Sequence, residues 1–391
     1  MESQEKTTVA IIGAGVAGLT LATFLHQAGV ACVVLERHDR AYLEQRQRAG
    51  VVEARGVQMF ERWGLAEQLL GGPVAQTIDY RLNGVSNIFT ITSDESSQGR
   101  FCTQQMLVLN LLRELLDERA GDVRFNVAEL AIQHARSPHP HVRYTDATGT
   151  HELACDYVVG CDGSRGTSRA AIPPGVLTTH SYEFGYAWLA ALVEAPVTGH
   201  PLMGVSDYGF VGQLPRGPHR SRYYLQCALS DTVEDWPDER LWQEIRRRTG
   251  DETIQPVTVH DKFFVPLRSV VHAPMQYGCL FLAGDAAHLV PPASAKGMNL
   301  ALYDVDVLAQ ALRSAVRDQN PTALRQYSDT CLARVWKYQE FALDMTNMLH
   351  DAGDATQHGP FRQQVARAQL ASLFTSPTAA QLHSEYQRGT H

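Results

Sequence analysis

Four short apolar runs organise the chain, and each breaks abruptly into glycine or a carboxylate. Thr8 to Ile12 runs into Gly13-Ala14-Gly15-Val16-Ala17-Gly18, and Ala31 to Leu35 ends at Glu36. Tyr157, Val158 and Val159 end in Gly160-Cys161-Asp162-Gly163, and Leu280 to Ala283 breaks into Gly284 and Asp285. Runs of this length, bounded by turn residues, predict buried central strands. Apolar positions then recur at helical spacing from Val16 to about Gly29, Val52 to Leu70, Phe101 to Arg119, Asn299 to Ser314, Pro321 to about Leu349 and Val365 to Tyr386. Gln76 to Thr92 alternates around Asn83-Gly84, a hairpin signal. Between about Ser181 and Leu267 the pattern turns aromatic and alternating, which predicts an inserted sheet. In its strand Arg220 to Leu229, period two puts Arg220, Arg222, Tyr224 and Gln226 on one face and Ser221, Tyr223, Leu225 and Cys227 on the other. The expectation is an α/β chain in three parts, 1–180, 181–268 and 269–391, with the 76–92 hairpin reaching toward the insert.

Each strand end carries candidate chemistry. Gly13, Gly15 and Gly18 permit a tight turn, close approach of a pyrophosphate and close packing of the next helix; Glu36, 18 positions beyond Gly18, suits a ribose hydroxyl. That arrangement predicts a dinucleotide without separating FAD from NAD. Downstream, Asp285 stands at a strand end, Pro291 and Pro292 stop the sheet, and a helix begins near Gly297, Met298 and Asn299. A carboxylate for a hydroxyl-rich chain and a helix N-terminus for developing negative charge are both needs of a flavin. Arg46 and Arg48, on alternate positions, either clamp pyrophosphate or form a solvated face. The cationic and phenolic face of Arg220 to Leu229 suits an anionic aromatic ligand, and a solvent-facing sheet surface would read the same way.

Composition narrows the classes. The 391 residues carry a formal net charge of −8 and no long basic run, which argues against nucleic acid. No apolar run approaches the roughly 18 to 20 residues of a membrane span. Seven cysteines without a CxxC pair read as reduced thiols of a cytosolic enzyme, and Cys155 and Cys161 are not expected to pair. The polar start MESQEKTTV is expected to carry neither a secretory signal nor a transit peptide, and no metal site is expected.

The segments LERHDRAYLEQRQRAGVVE, CDYVVGCDG, RSRYYLQCALSDTVEDWPDERLW, PLRSVV, PMQYGCLFLAGDAAHLVPPASAKGMNL and RVWKYQEF together resemble the para-hydroxybenzoate hydroxylase-like, single-component (group A) flavoprotein aromatic monooxygenases over nearly the whole chain. The resemblance implies a GR2-type Rossmann-like FAD domain, an inserted mixed sheet forming a lid over the flavin, and a C-terminal helical region. It implies that NADPH (or NADH) reduces FAD and that O2 forms a flavin C4a-hydroperoxide, whose terminal oxygen passes to an electron-rich ring carbon. By position, Gly13, Gly15, Gly18, Glu36, Arg48, Gln105, Asp162, Gly163, Asp285, Gly297, Met298 and Asn299 are FAD candidates, although Gln105 is equally read as a plain polar residue of a helix start. Arg37, His38, Tyr42, Arg46, Arg165, Arg169 and Arg268 are NADPH candidates. Arg216 and Tyr224 would bind a substrate carboxylate, Arg222 would hold the flavin inward, the main chain at Pro292 would meet the para substituent, and Tyr386 would be the tail tyrosine beside it.

Three positions depart from the pattern. Met203 stands where the family has a tyrosine that helps ionise a substrate phenol, Leu214 replaces a serine near the carboxylate, and Ala75 falls where a histidine relays the phenolic proton. Loss of that relay slows attack on a simple phenol. The expected substrate is therefore a para-substituted benzoate with another donor, such as an amino group, or a more electron-rich hydroxybenzoate. Other readings are a reductase or halogenase of the same fold, or an FAD-keeping redox sensor that releases peroxide whatever aromatic acid is present. A halogenase would show a lysine and tryptophan-rich motif in the first half, and none is seen. A homodimer is compatible with the helical region.

Overall fold

The apolar runs assemble side by side. In the computed structural model, which describes residues 5–45, 50–94, 98–197, 199–354, 356 and 359–391, they form a six-stranded sheet. Its order is Gln276–Tyr277, Leu280–Leu282, Tyr157–Gly160, Val9–Ile12, Cys32–Leu35 and Asp122–Arg124. Every neighbouring pair is parallel except the edge hairpin of Gln276–Tyr277 with Leu280–Leu282. Val9–Ile12 is buried at all its positions because helices cover both faces, which is why these strands read as continuous apolar runs. Helix Val16–Gln27 packs against Gly297–Arg317, and Phe24 stacks on Trp63 with ring centroids 4.3 Å apart. All four glycine- or carboxylate-ended strands thus bring their carboxyl ends to one edge, where open α/β sheets bind ligands.

The second sheet has eight strands in the order His288–Leu289, Val259–Ala273, Thr178–Val193, Ser221–Ala228, Gly209–Pro215, Leu202–Ser206, Thr77–Leu82 and Ile88–Thr90. The Asn83-Gly84 hairpin forms as predicted, with both turn residues at positive φ (47° and 82°) and reciprocal hydrogen bonds of 2.9 Å between Leu82 and Val85. The two-residue alternation of Ser221–Ala228 also holds, but neither face meets solvent. Tyr223, Leu225 and Cys227 pack on helix Asp238–Thr249, and Tyr224 joins the core formed with helix Thr322–His350.

Boundaries at 181 and 268 fall inside strands. Thr178–Val193 pairs with Val259–Ala273 from Thr178 and Ala273 at one end to Val193 and Val259 at the other. The chain leaves the six-stranded sheet after Gly160, enters the eight-stranded one at Thr178 and returns between Ala273 and Gln276, so the crossings lie outside 181–268. Helix Asp238–Thr249 and a four-stranded sheet of Glu5–Lys6, Gly149–Ala154, His141–Asp146 and Ala128–Gln133 were not foreseen. The strands of that sheet are polar, and only single positions such as Val142, Tyr144 and Leu153 turn inward, too few to set a period. The tail folds as Gly359–Thr375 and Pro377–Arg388. All seven cysteines are free, and among the described residues no helix is long and apolar enough to cross a membrane.

Candidate functional site

The glycine turn leaves room for a ligand at one point only. A Cβ on Gly13, whose φ is +100°, would lie 2.6 Å from the Cys161 carbonyl oxygen, and one on Gly18 would lie 1.9 Å from that of Gly13. Over Gly15, by contrast, nothing comes within 4 Å. Gly15 caps helix Val16–Gln27 without a side-chain hydrogen bond, so the loop is packed tightly below and open above, at the positive end of a helix dipole. Glu36 faces this loop and accepts the Ala14 and His38 amides at 2.7 and 2.9 Å. Across the edge, Gly163 is at φ +77° with open space above it. Asp162 takes the Ser168 amide and hydroxyl on Oδ2 (2.8 and 2.9 Å), and its buried Oδ1 has no hydrogen-bond partner. These residues fit the pyrophosphate and ribose of FAD.

The second strand end is braced from beneath. Gly284, at φ +62°, donates its amide to Asp304 at 2.9 Å, and the same carboxylate oxygen meets His288 at 2.7 Å. Asp304 is wholly buried, and this brace sets the turn Gly284–Ala286 that carries Asp285. The helix then begins at Gly297, with Met298 buried against the Gly50 backbone. The Asn299 side chain braces the helix start. It donates to the Val51 and Ala295 carbonyls (2.8 and 2.9 Å) and accepts the Glu53 amide at 3.0 Å, so its amide group is spent on fixing the loop that faces the helix start. Gln105 likewise donates to the Glu44 carbonyl at 2.8 Å, immediately before residues 46–49. Arg46 and Arg48 lie outside the described residues.

Between the two sheets lies a cavity of about 800 Å³, part of it open to solvent. Its walls include Met203, Leu214, Ala75, Tyr224 and Trp188 from the sheet side and Pro292 from the loop before Gly297. Arg216 stands one step behind this wall, donating to the Tyr224 hydroxyl and the Pro215 carbonyl, each at 2.6 Å. Burial holds the Arg216 pKa below the ordinary arginine value, and the Arg222 charge adds to that lowering. Arg222 is 2 % exposed, its Nε without a hydrogen-bond partner, its guanidinium 5.0 Å from the centre of the Phe263 ring. A buried cationic end of this kind calls for an anion.

Tyr386 is not part of the cavity. One residue along a helix is a rotation of about 100°, and in Pro377–Arg388 this puts Gln387 and Arg388 on the cavity wall while Tyr386 stacks on Phe341 at 4.6 Å. The tail is held there by a buried ion network. Lys296 pairs with Glu53 at 2.7 Å and donates to the Gln387 carbonyl at 3.1 Å; Arg334 reaches Glu53 at 3.3 Å and the Gly389 carbonyl at 2.9 Å. Neither Glu53 nor Lys296 stood out in the sequence, because 243 residues separate the partners. The one signal was a lysine inside an otherwise apolar loop-to-helix motif.

The nucleotide candidates divide into two groups. Arg37, His38 and Tyr42 cluster at the rim beyond Glu36: Arg37 bonds the His38 ring at 3.1 Å, and that ring stacks on Tyr42 at 3.9 Å. Arg165 and Arg268 are exposed. Arg169 is bound to the main chain. Its guanidinium donates to the carbonyls of Gly163, Ser164 and Ala286 at 3.3, 2.5 and 2.7 Å, clasping the Asp162 loop to the Asp285 loop.

Comparison with known proteins agrees with this geometry. Residues 6–342 match the FAD binding domain family. The p-hydroxybenzoate hydroxylase of Acinetobacter baylyi is 35% identical over 385 residues, which are 96% of this chain and 93% of that one. A probable NADH-specific resorcinol 4-hydroxylase of Rhodococcus jostii is 28% identical over 333 residues, 82% of this chain and 61% of its own. Among solved structures, the p-nitrophenol 4-monooxygenase of Pseudomonas putida superposes with a TM-score of 0.86, covering 99% of this chain and 100% of the other at 18% identity, a likeness of fold. Because the match runs through cradle and cavity alike, the chain belongs to the FAD-dependent, group A flavoprotein aromatic monooxygenases.

Proposed function

We propose that this monooxygenase hydroxylates a small para-substituted benzoate, using NADPH or NADH as reductant and O2 as oxidant, and that its preferred para group is an amine or part of a more electron-rich hydroxybenzoate. The observation that carries the anionic part is the part-buried Arg216–Tyr224 pair at 2.6 Å with the buried Arg222 guanidinium beside it, a cationic end next to the cavity. The carboxylate would draw on the Tyr224 hydroxyl and the charge behind it, which orients the ring with its far end toward Pro292. FAD, when bound, supplies two-electron reduction by the nicotinamide and delivery of one oxygen atom from O2. Gly13, Gly15, Glu36, Asp162 and Asp285 would hold it; the rim cluster Arg37, His38 and Tyr42 would take the phosphate side of the reductant.

The substrate preference rests on Met203, Leu214 and Ala75, all on the cavity wall. An isobutyl and a methyl group offer no acceptor for a phenolic proton, and a thioether sulfur only a weak one. An amine activates a ring without losing a proton, so such a wall suffices for it; the apolar lining also keeps water from the reacting centre. The relatives include enzymes named for p-hydroxybenzoate and for resorcinol, so both ring classes belong in the test. The experiment is a panel of 4-aminobenzoate, 4-hydroxybenzoate, substituted hydroxybenzoates and resorcinol, following nicotinamide oxidation and product together. Fast, tightly coupled turnover is expected with the amino or substituted acids; if plain 4-hydroxybenzoate is fastest and fully coupled, the altered-substrate reading fails.

A further inference from the structure

Trp188, on strand Thr178–Val193, forms part of the cavity wall, and its indole N–H is bonded to a residue outside that wall. That N–H donates to Nε2 of His350 at 2.6 Å. His350 is wholly buried at the end of helix Thr322–His350, with Nδ1 2.7 Å from the Thr346 carbonyl oxygen. A carbonyl only accepts, so Nδ1 carries the proton and Nε2 presents its lone pair to the indole. Burial pulls the imidazole pKa down to about 3, which keeps that lone pair available throughout the neutral range. The imidazole is itself confined by the Tyr186 ring at 4.9 Å and the Phe210 ring at 4.7 Å. On its other side Trp188 meets the Tyr224 ring at 4.8 Å, and Tyr224 is the phenol that Arg216 holds.

We propose that His350, which touches neither the cavity nor the flavin cradle, is the positioning residue for aromatic substrates: by accepting the indole proton it fixes the rotamer of Trp188, and through that ring the place of Tyr224. The proposal rests on this cavity being the substrate site. An indole without an acceptor would have to turn its N–H toward the cavity, moving the wall against which the substrate ring packs and disturbing the phenol at the anionic end. A displacement of about 1 Å at such a site lowers productive binding and turnover by up to about 100-fold.

The test uses the FAD-loaded protein with uniformly 15N-labelled tryptophan, the Trp188 indole signal being assigned by its loss in Trp188→Phe. His350→Leu removes the acceptor and His350→Gln retains one. In His350→Leu the Trp188 N–H signal is expected to move and exchange faster with solvent. Dissociation of 4-aminobenzoate, followed by the flavin spectrum, is expected to weaken about tenfold, with more peroxide released per nicotinamide oxidised. His350→Gln is expected to recover most of both. In the Trp188→Phe background, His350→Leu is expected to change affinity less than about twofold, because the partner it controls is gone. An equal loss of affinity in both backgrounds, or an unchanged indole signal, overturns the proposal. If His350→Leu does not fold, His350→Asn, too short to reach the indole, carries the same comparison. Failure of the unmodified protein to bind any aromatic acid overturns the cavity reading and this proposal with it, and the indole signal, read without ligand, tells that outcome from failure of the lock.

Discussion

Replacing Glu53 by Gln should loosen the tail wall of the cavity and destabilise the protein by about 3 to 5 kcal/mol, the range for removing one partner of a buried ion pair. Glu53 is 4 % exposed and Lys296 2 %, so neither charge has water to fall back on. Removing the carboxylate strands two cations, Lys296 and Arg334, which lie 2.7 and 3.3 Å from it. Burial already holds the Lys296 pKa below its ordinary value even with Glu53 present. Without Glu53 that lowering deepens, and the sign of the pH effect follows. A lysine depressed in the folded state binds its proton more readily when unfolded, so the deficit of Glu53→Gln should shrink as pH rises from 7 to 9. Lys296→Met alone leaves Glu53 paired with Arg334, and in the double variant it removes the ammonium that Glu53→Gln strands, so the double variant should be more stable than Glu53→Gln alone. Urea unfolding of the FAD-loaded proteins measures all three, and peroxide released per nicotinamide oxidised reports the loosened wall. A Glu53→Gln protein within 1 kcal/mol of the unmodified one, or additive losses in the double variant, would refute the reasoning.

Arg216→Gln should weaken binding of 4-aminobenzoate by about 10- to 100-fold while leaving 4-aminobenzamide little changed, since a charge-assisted hydrogen bond contributes about 1.5 to 3 kcal/mol; equal losses for acid and amide in a flavin-spectrum titration would count against a cationic end. Met203→Tyr places a phenol on the cavity wall and should raise coupled turnover of 4-hydroxybenzoate relative to 4-aminobenzoate by about tenfold or more; an unchanged ratio in oxygen-uptake assays removes Met203 as a determinant. Burial holds His350 down to about 3 and His383 down to about 4. Between those values and the unfolded imidazole at about 6.5, only the unfolded chain takes up the protons, so stability falls as pH drops, by about 2 kcal/mol per histidine at pH 5. His350→Gln should flatten the dependence of unfolding free energy between pH 7.5 and 5; the same slope in both proteins would show that His350 is not the group involved.

Much of the framework was legible because its strands are buried on both faces. Val9–Ile12 and Leu280–Leu282 admit nothing but apolar residues, and the glycines that follow are demanded by contacts as close as that of Gly18 with Gly13. The alternation of Ser221–Ala228 was legible too, but not that both its faces are covered, since Arg222 and Gln226 are polar yet buried and so read like a solvent-facing side. Side-chain assignments carried over by position cannot foresee helix rotation. Tyr386 and Gln387 are adjacent in sequence, yet only the second faces the cavity. Arg169 and Asn299 are marked by a family motif and by a helix start, neither of which reveals that their side-chain donors go to main-chain carbonyls. The pairs Glu53–Lys296 and Trp188–His350 join residues hundreds or more than a hundred positions apart. No local pattern announces such partners.

The paired strands Thr178–Val193 and Val259–Ala273 make the substrate region hard to treat as a cassette. A chimera built by splicing in another family member's insert at 181 and 268 would cut both strands of this one ladder near its Thr178–Ala273 end and leave mismatched edges to find a new register. Engineering of ring preference should therefore proceed by single substitutions at cavity-lining positions such as Met203 and Leu214: redecorate the wall, and leave the beams in one piece.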